Sequence, residues 1–208
     1  MNIPLPDVTL PQVLQRLLAA AVVSGVYGYV AALVASMAGE RGPTYDGRRT
    51  VNPLVHADIV GVLAAIFFRV TWLRPMELDT KEMRSPRLGA LVVVLAGPLA
   101  MAALAVLATL ARRLVVTTLP LSAAVQATSA LAAVAEVAVA TGLVGLLPLP
   151  PLLGGLWWAV VAPGAERWAR DRRVLVAGYV VVAALLMTGL LDGPIRWAWR
   201  SFFGLLGY

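Results

Sequence analysis

Four stretches of this chain, about 11–38, 88–111, 119–147 and 174–191, are almost wholly apolar. Each approaches or exceeds the roughly 20 residues needed to cross a bilayer. Lipid removes the option of leaving backbone groups to water, so segments of this kind must be helices or closed barrels, and runs this long read as helices. A fifth run, about 59–73, is shorter and carries Arg69 and Trp72 near its far end. It either spans with Arg69 snorkelling to the interface or dips in and returns. The expectation is an all-α integral membrane protein with about five transmembrane segments.

Composition agrees. The chain is 60% hydrophobic and 13% charged, with mean hydropathy +0.83, against about 25% charged in a soluble domain. The net charge of +6 comes from arginines that flank the apolar runs, where they suit anionic headgroups. The bilayer, not nucleic acid, is therefore the expected partner. Absence of cysteine excludes disulfides, thiolate metal sites and a Cys nucleophile. The first residues lack a basic stretch ahead of a short apolar core, so no cleaved signal is expected.

Residues 1–208 are expected to form a single polytopic domain. The tail 194–208 alternates Trp197, Trp199, Phe202 and Phe203 with Arg196 and Arg200, a pattern for an interfacial helix or an extension of the last span. Strict alternation of five spans puts eight bases (Arg74, Lys81, Arg84, Arg87, Arg167, Arg170, Arg172, Arg173) against seven (Arg41, Arg48, Arg49, Arg112, Arg113, Arg196, Arg200). That balance barely orients the chain.

Helix-breaking residues recur at depth. Gly97 and Pro98 lie mid-run, and Pro148, Pro150, Pro151, Gly154 and Gly155 interrupt the end of the fourth run. The first pair suits a close helix contact. Non-helical backbone at membrane depth survives only inside protein or beside a wet cavity, so residues 146–155 are expected to pack within the bundle.

In order along the chain stand Gly39-Glu40, Pro43-Thr44, Gly47-Arg48-Arg49-Thr50-Val51-Asn52-Pro53-Leu54-Val55-His56, Trp72-Leu73-Arg74-Pro75, Ala96-Gly97-Pro98-Leu99-Ala100-Met101 and Leu146 to Gly155. In order and spacing these stretches resemble the site-2 protease family of intramembrane zinc metalloproteases, particularly its compact bacterial branch. The resemblance covers about 23–160 and implies a site-2-protease-like helical bundle, with 174–191 as an added C-terminal span. It also implies a bacterial inner (cytoplasmic) membrane location. The family's zinc would be held by H-E-x-x-H on one helix and by the aspartate of a later L-D-G.

The departures fall on that chemistry. Counting back from Gly39, the resemblance places His, Glu and His at Tyr27, Gly28 and Ala31, and the aspartate at Leu153. Two family asparagines, which position substrate backbone, correspond to Met101 and Gly145. The chain has one histidine, so no H-E-x-x-H helix can exist in it. Zinc is expected for the family, but its ligands are absent here, so neither catalytic nor metal residues are assigned. Asn52, Pro53, Gly97, Pro98, Pro148, Pro151, Gly154 and Gly155 are read as framework.

Three polar candidates remain. His56 and Asp58 form a His-x-Asp pair that either braces a loop or offers a weak metal site. Glu136 lies mid-run, where a charge is expensive; it is protonated, faces the interior, or pairs with an arginine of another subunit. The leading expectation is a pseudoprotease that serves as a scaffold or binding subunit for transmembrane helices. The alternatives are an active metalloendopeptidase with an unorthodox site, and a small ion or proton transporter or electron-transfer-complex subunit using Glu136.

Overall fold

The computed structural model describes residues 8–162, 167–168 and 171–205. Residues 1–7, 163–166, 169–170 and 206–208, which include part of the arginine-rich stretch 166–173 and the end of the tail, lie outside the described residues. All named elements are helical, with one isolated bridge between Ala57 and Leu73.

Helix α1, Leu10–Ala38, begins at Thr9, whose N–H donates to Gln12 Oε1 at 3.1 Å, and has Pro11 in its first turn. It stops at Gly39, whose φ of 114° lies in the left-handed region open to glycine. Two short helices follow, α2 (Gly42–Tyr45) and α3 (Pro53–His56), then α4 (Ile59–Phe68). A 3-10 turn at Thr80–Glu82 leads into α5, Pro86–Thr118, and α6, Leu121–Val144. After a Pro/Gly loop come a 3-10 turn at Leu153–Leu156 and α7, Trp157–Val161. Helix α8 (Arg172–Met187) meets α9 (Asp192–Leu205) at a bend of 72°.

Among the described residues three helices, α1, α5 and α6, are long and apolar enough to cross a membrane, with a fourth span if the bent pair α8–α9 is counted as one. The described residues thus give three or four candidate spans against the expected five. At about 1.5 Å per residue, the ten residues of α4 reach about 15 Å, half the roughly 30 Å hydrocarbon core. Its segment also turns back. Arg69 takes a left-handed φ of 58° at the C-cap, residues Val70–Leu73 return buried, and Arg74 N donates to His56 O at 2.7 Å. The Ala57–Leu73 bridge closes the base. Residues 59–73 thus enter and leave the bundle at one end.

The core is built from small side chains. Ala19, Ala31, Ala105, Ala108, Ala135 and Ala138 are buried among α1, α5 and α6, which lets the backbones approach closely without a hydrophobic drive between helices. Helix α5 passes through Pro98 unbroken, with the Pro98 Cα close to Gly142 of α6. It also continues past Arg112-Arg113, where the apolar run stops, to Thr118.

The return of 59–73 changes the charge balance between the ends. Arg84 N donates to Ala38 O at 2.9 Å, Arg167 pairs with Asp79 at 3.3 Å, and the Tyr179 hydroxyl donates to Asp58 at 2.7 Å. These contacts gather the loops 39–58 and 74–85 and the start of α8 at one end. Among the described residues that end carries Arg41, Arg48, Arg49, Arg74, Lys81, Arg84, Arg87, Arg167, Arg172 and Arg173, and the other carries Arg112, Arg113, Arg196 and Arg200. Among the described residues the bases are therefore concentrated at the loop-rich end.

Candidate functional site

The loop-rich end of the α1–α5–α6 bundle brings together the positions the motifs single out. Tyr27 is 1% exposed, and its ring lies on Gly97 of α5, where a β-carbon would fall inside Cε2. Its hydroxyl reaches Gly145 at the end of α6, where a β-carbon would likewise collide. Ala31, one turn further along α1, and Met101 of α5 are fully buried in the same cluster, and Leu153 packs against it partly buried. The Tyr27 side chain therefore fills the space against Gly97 and Gly145, within the cluster to which Ala31, Met101 and Leu153 also belong.

Gly28 faces a different neighbour. His56 is fully buried with its ring against the Gly28 Cα, so that a β-carbon at 28 would overlap Cγ and Nδ1. The imidazole is held from its far side, where Nε2 lies 2.7 Å from Thr50 O; a carbonyl accepts, so Nε2 carries the proton. Nδ1 is buried without a partner. Burial pushes the His56 pKa below its ordinary 6.5, and the Arg48 cation adds to the effect, while the Thr50 contact opposes it. His56 is neutral at pH 7.

The loop that carries His56 is tied down by polar groups. Asn52 caps α3 by accepting from Leu54 N at 3.1 Å, with Pro53 in the first turn. Arg48 donates to the carbonyls of Arg74 and Pro75. Buried Glu40 accepts from Gly42 N at 2.6 Å and Asp79 N at 2.8 Å, joining the end of α1 to the segment before α5. The motif order placed Glu40 at the turn after α1 but gave it no role; its contacts with Gly42 and Asp79 come from the fold.

Asp58 does not join His56 in a common site. Its Oδ1 caps α4 by accepting from Val60 N and Gly61 N, and its Oδ2 accepts from the Tyr179 hydroxyl. Glu136 is equally remote: Oε2 forms a 2.7 Å ion pair with Arg69 of the same chain, which answers the expected need for a cation without a second subunit.

The Pro/Gly loop is stitched to its neighbours. Gly154 N donates to Gly145 O at 2.8 Å, and the indole N–H groups of Trp157 and Trp158 donate to Leu146 O and Pro148 O. Pro150, Pro151, Gly154 and Gly155 are buried while Pro148 is exposed. A half-open cleft of about 140 Å³ separates Pro150–Leu153 from the extended residues Leu73–Leu78, with Leu175 on its rim.

The donor set does not fit a catalytic zinc, which takes three protein ligands from nitrogen, sulfur or carboxylate oxygen. Gly28, Ala31 and Leu153 offer no donor atom, and Tyr27 offers a phenol. Among the described residues no three His, Cys, Asp or Glu side chains are grouped to hold a metal.

Fold and site together define a polytopic helical membrane protein with a re-entrant segment beside a buried Pro/Gly loop. Over 67 residues the chain is 33% identical to the Bacillus subtilis (strain 168) protein named "Putative zinc metalloprotease YwhC", a stretch covering 32% of this chain and 31% of that protein. The chain is thus matched over about a third of that relative's length. No family model matches, and no solved structure matches.

Proposed function

We propose that this is a site-2-protease-like membrane protein that has lost the zinc chemistry and retains the binding frame. It acts as a scaffold or binding subunit for a transmembrane helix of another protein. The observation that carries the reading is that Tyr27 occupies the space against Gly97 and Gly145, in the cluster that also holds Ala31, Met101 and Leu153, and that His56 occupies the space beside Gly28. A water-activating carboxylate at 28 and a metal beside it would need the room these two side chains hold. The 33% identity to a protein named for zinc metalloprotease activity supports the family and leaves the activity open.

The cleft between Leu73–Leu78 and Pro150–Leu153 is the expected place for a bound segment. It is lined mainly by apolar side chains and borders Leu153, and it lies beside non-helical backbone, which suits an unwound stretch of a partner helix. The test is purification of the full chain in mild detergent, with metal analysis and incubation with membrane peptides. The expected result is substoichiometric zinc, no chelator-sensitive cleavage, and photo-crosslinking of a transmembrane peptide to a probe at Leu153. Stoichiometric zinc with chelator-sensitive cleavage would overturn the reading.

A further inference from the structure

On the opposite half of the bundle a second cavity, about 160 Å³, opens between α1, α6 and the tip of the re-entrant segment. Its walls carry Gln12, Gln15, Arg16, Arg69, Ser129 and Glu136. Ser129 donates to Gln15 Oε1 at 3.0 Å, which places those two at one level. Glu136 lies seven residues further along α6, about 10 Å deeper at the helical rise. The cavity is therefore a polar shaft leading inward from the end where α5 and α6 meet.

Its charge is unbalanced. Arg16 is only 7% exposed, and its Nη1 donates to the Ile66 carbonyl; Arg69 Nη1 is spent on Glu136. Two cations against one carboxylate leave a net +1 on these walls. Each guanidinium has five N–H groups in a planar fork, and among the described residues one of each is used on protein. An excess cation at membrane depth is expensive unless something compensates it.

We propose that this shaft is an anion site for a phosphate group, bound between Arg16 and Arg69 with Gln12, Gln15 and Ser129 supplying neutral hydrogen bonds. Guanidinium forks match the oxygens of phosphate bidentately. The phosphate comes either from a phospholipid headgroup of the adjoining leaflet or from a free phosphate ion. Glu136 is not a ligand: it holds Arg69 across the cavity and opposes the anion. That assignment fixes the sign of its substitution, and it is independent of what the cleft beside Leu153 does.

The test uses the full chain in an uncharged detergent, titrated calorimetrically with inorganic phosphate and, separately, with short-chain phosphatidylglycerol; the matching diacylglycerol is the control. Saturable one-to-one binding of phosphatidylglycerol but not diacylglycerol is expected, weakened at least about tenfold in Arg16→Gln and in Arg69→Gln. Glu136→Gln should bind as tightly as the parent or more so, a result that also excludes general misfolding. Competition by inorganic phosphate identifies a free-ion source, and its failure to compete identifies the headgroup. Either is support. Binding of neither ligand, binding indifferent to both arginines, or a tenfold loss in Glu136→Gln would overturn the proposal.

Discussion

The imidazole of His56 lies directly on the Cα of Gly28, leaving no room for a β-carbon at that position. Helix α1 and the loop that closes its end are thus fitted together through a glycine on one side and a ring on the other. The position that the resemblance assigns to a glutamate is sealed by the chain's single histidine.

Restoring a side chain at 28 should therefore damage the fold rather than revive chemistry. Gly28→Ala is expected to destabilise by about 1–3 kcal/mol through overpacking, and Gly28→Glu by more, because it also buries a carboxylate. Adding His56→Ala to Gly28→Ala should recover part of the loss. Thermal unfolding of the four proteins in detergent measures the coupling; strictly additive losses would show that the two residues do not share the space.

Tyr27 separates shape from polarity. Its hydroxyl is buried without a partner, so Tyr27→Phe should be neutral or stabilising, since it removes a desolvated group. Tyr27→Ala empties the volume between Gly97 and Gly145 and should cost about 3–5 kcal/mol. A large loss in Tyr27→Phe, read as a fall in melting temperature, would mean that the hydroxyl has a partner such as a bound water.

The depressed pKa of His56 ties stability to pH. The folded state resists protonation, so below the ordinary value of 6.5 the unfolded chain binds the extra proton first. Stability from this group is fully present above that value and declines as pH falls from it towards the folded pKa. Melting temperatures at pH 7.5 and 5.5 should diverge more in the parent than in His56→Gln, which keeps a donor for Thr50 O. Equal pH slopes in the two proteins would contradict the assignment.

The re-entrant segment has a direct topological consequence. Because the chain lacks cysteine, single substitutions can be labelled without background. Tyr45→Cys and Lys81→Cys should react with an impermeant thiol reagent from one side of the membrane, and Val116→Cys from the other. Labelling of 45 and 81 from opposite sides would make 59–73 a true span.

Hydropathy alone marked α1, α5 and α6, because a run of 20 or more apolar residues has few alternatives to a membrane helix. The motif order singles out Tyr27, Gly28, Ala31 and Leu153, of which the first three are buried and Leu153 partly so. What hydropathy could not decide was the path of 59–73: a short run containing Arg69 permits both crossing and return. The Ala57–Leu73 bridge and the Arg74–His56 hydrogen bond decided it, being contacts between residues some 16 to 18 positions apart that no local pattern encodes.

The same limit governed the polar residues. Sequence identified Glu136 as a costly charge in an apolar run, but only the tertiary fold could supply Arg69 as its partner, from 67 residues away. It likewise could show that the chain holds a single histidine and no cysteine, which by elimination bars the H-E-x-x-H arrangement. That Tyr27 packs on Gly97 and Gly145, and His56 on Gly28, depends on which helix faces meet. Composition restricts the available chemistry by what it lacks, whereas occupancy of a site is a property of packing, set where α1, α5, α6 and the loop bearing His56 converge.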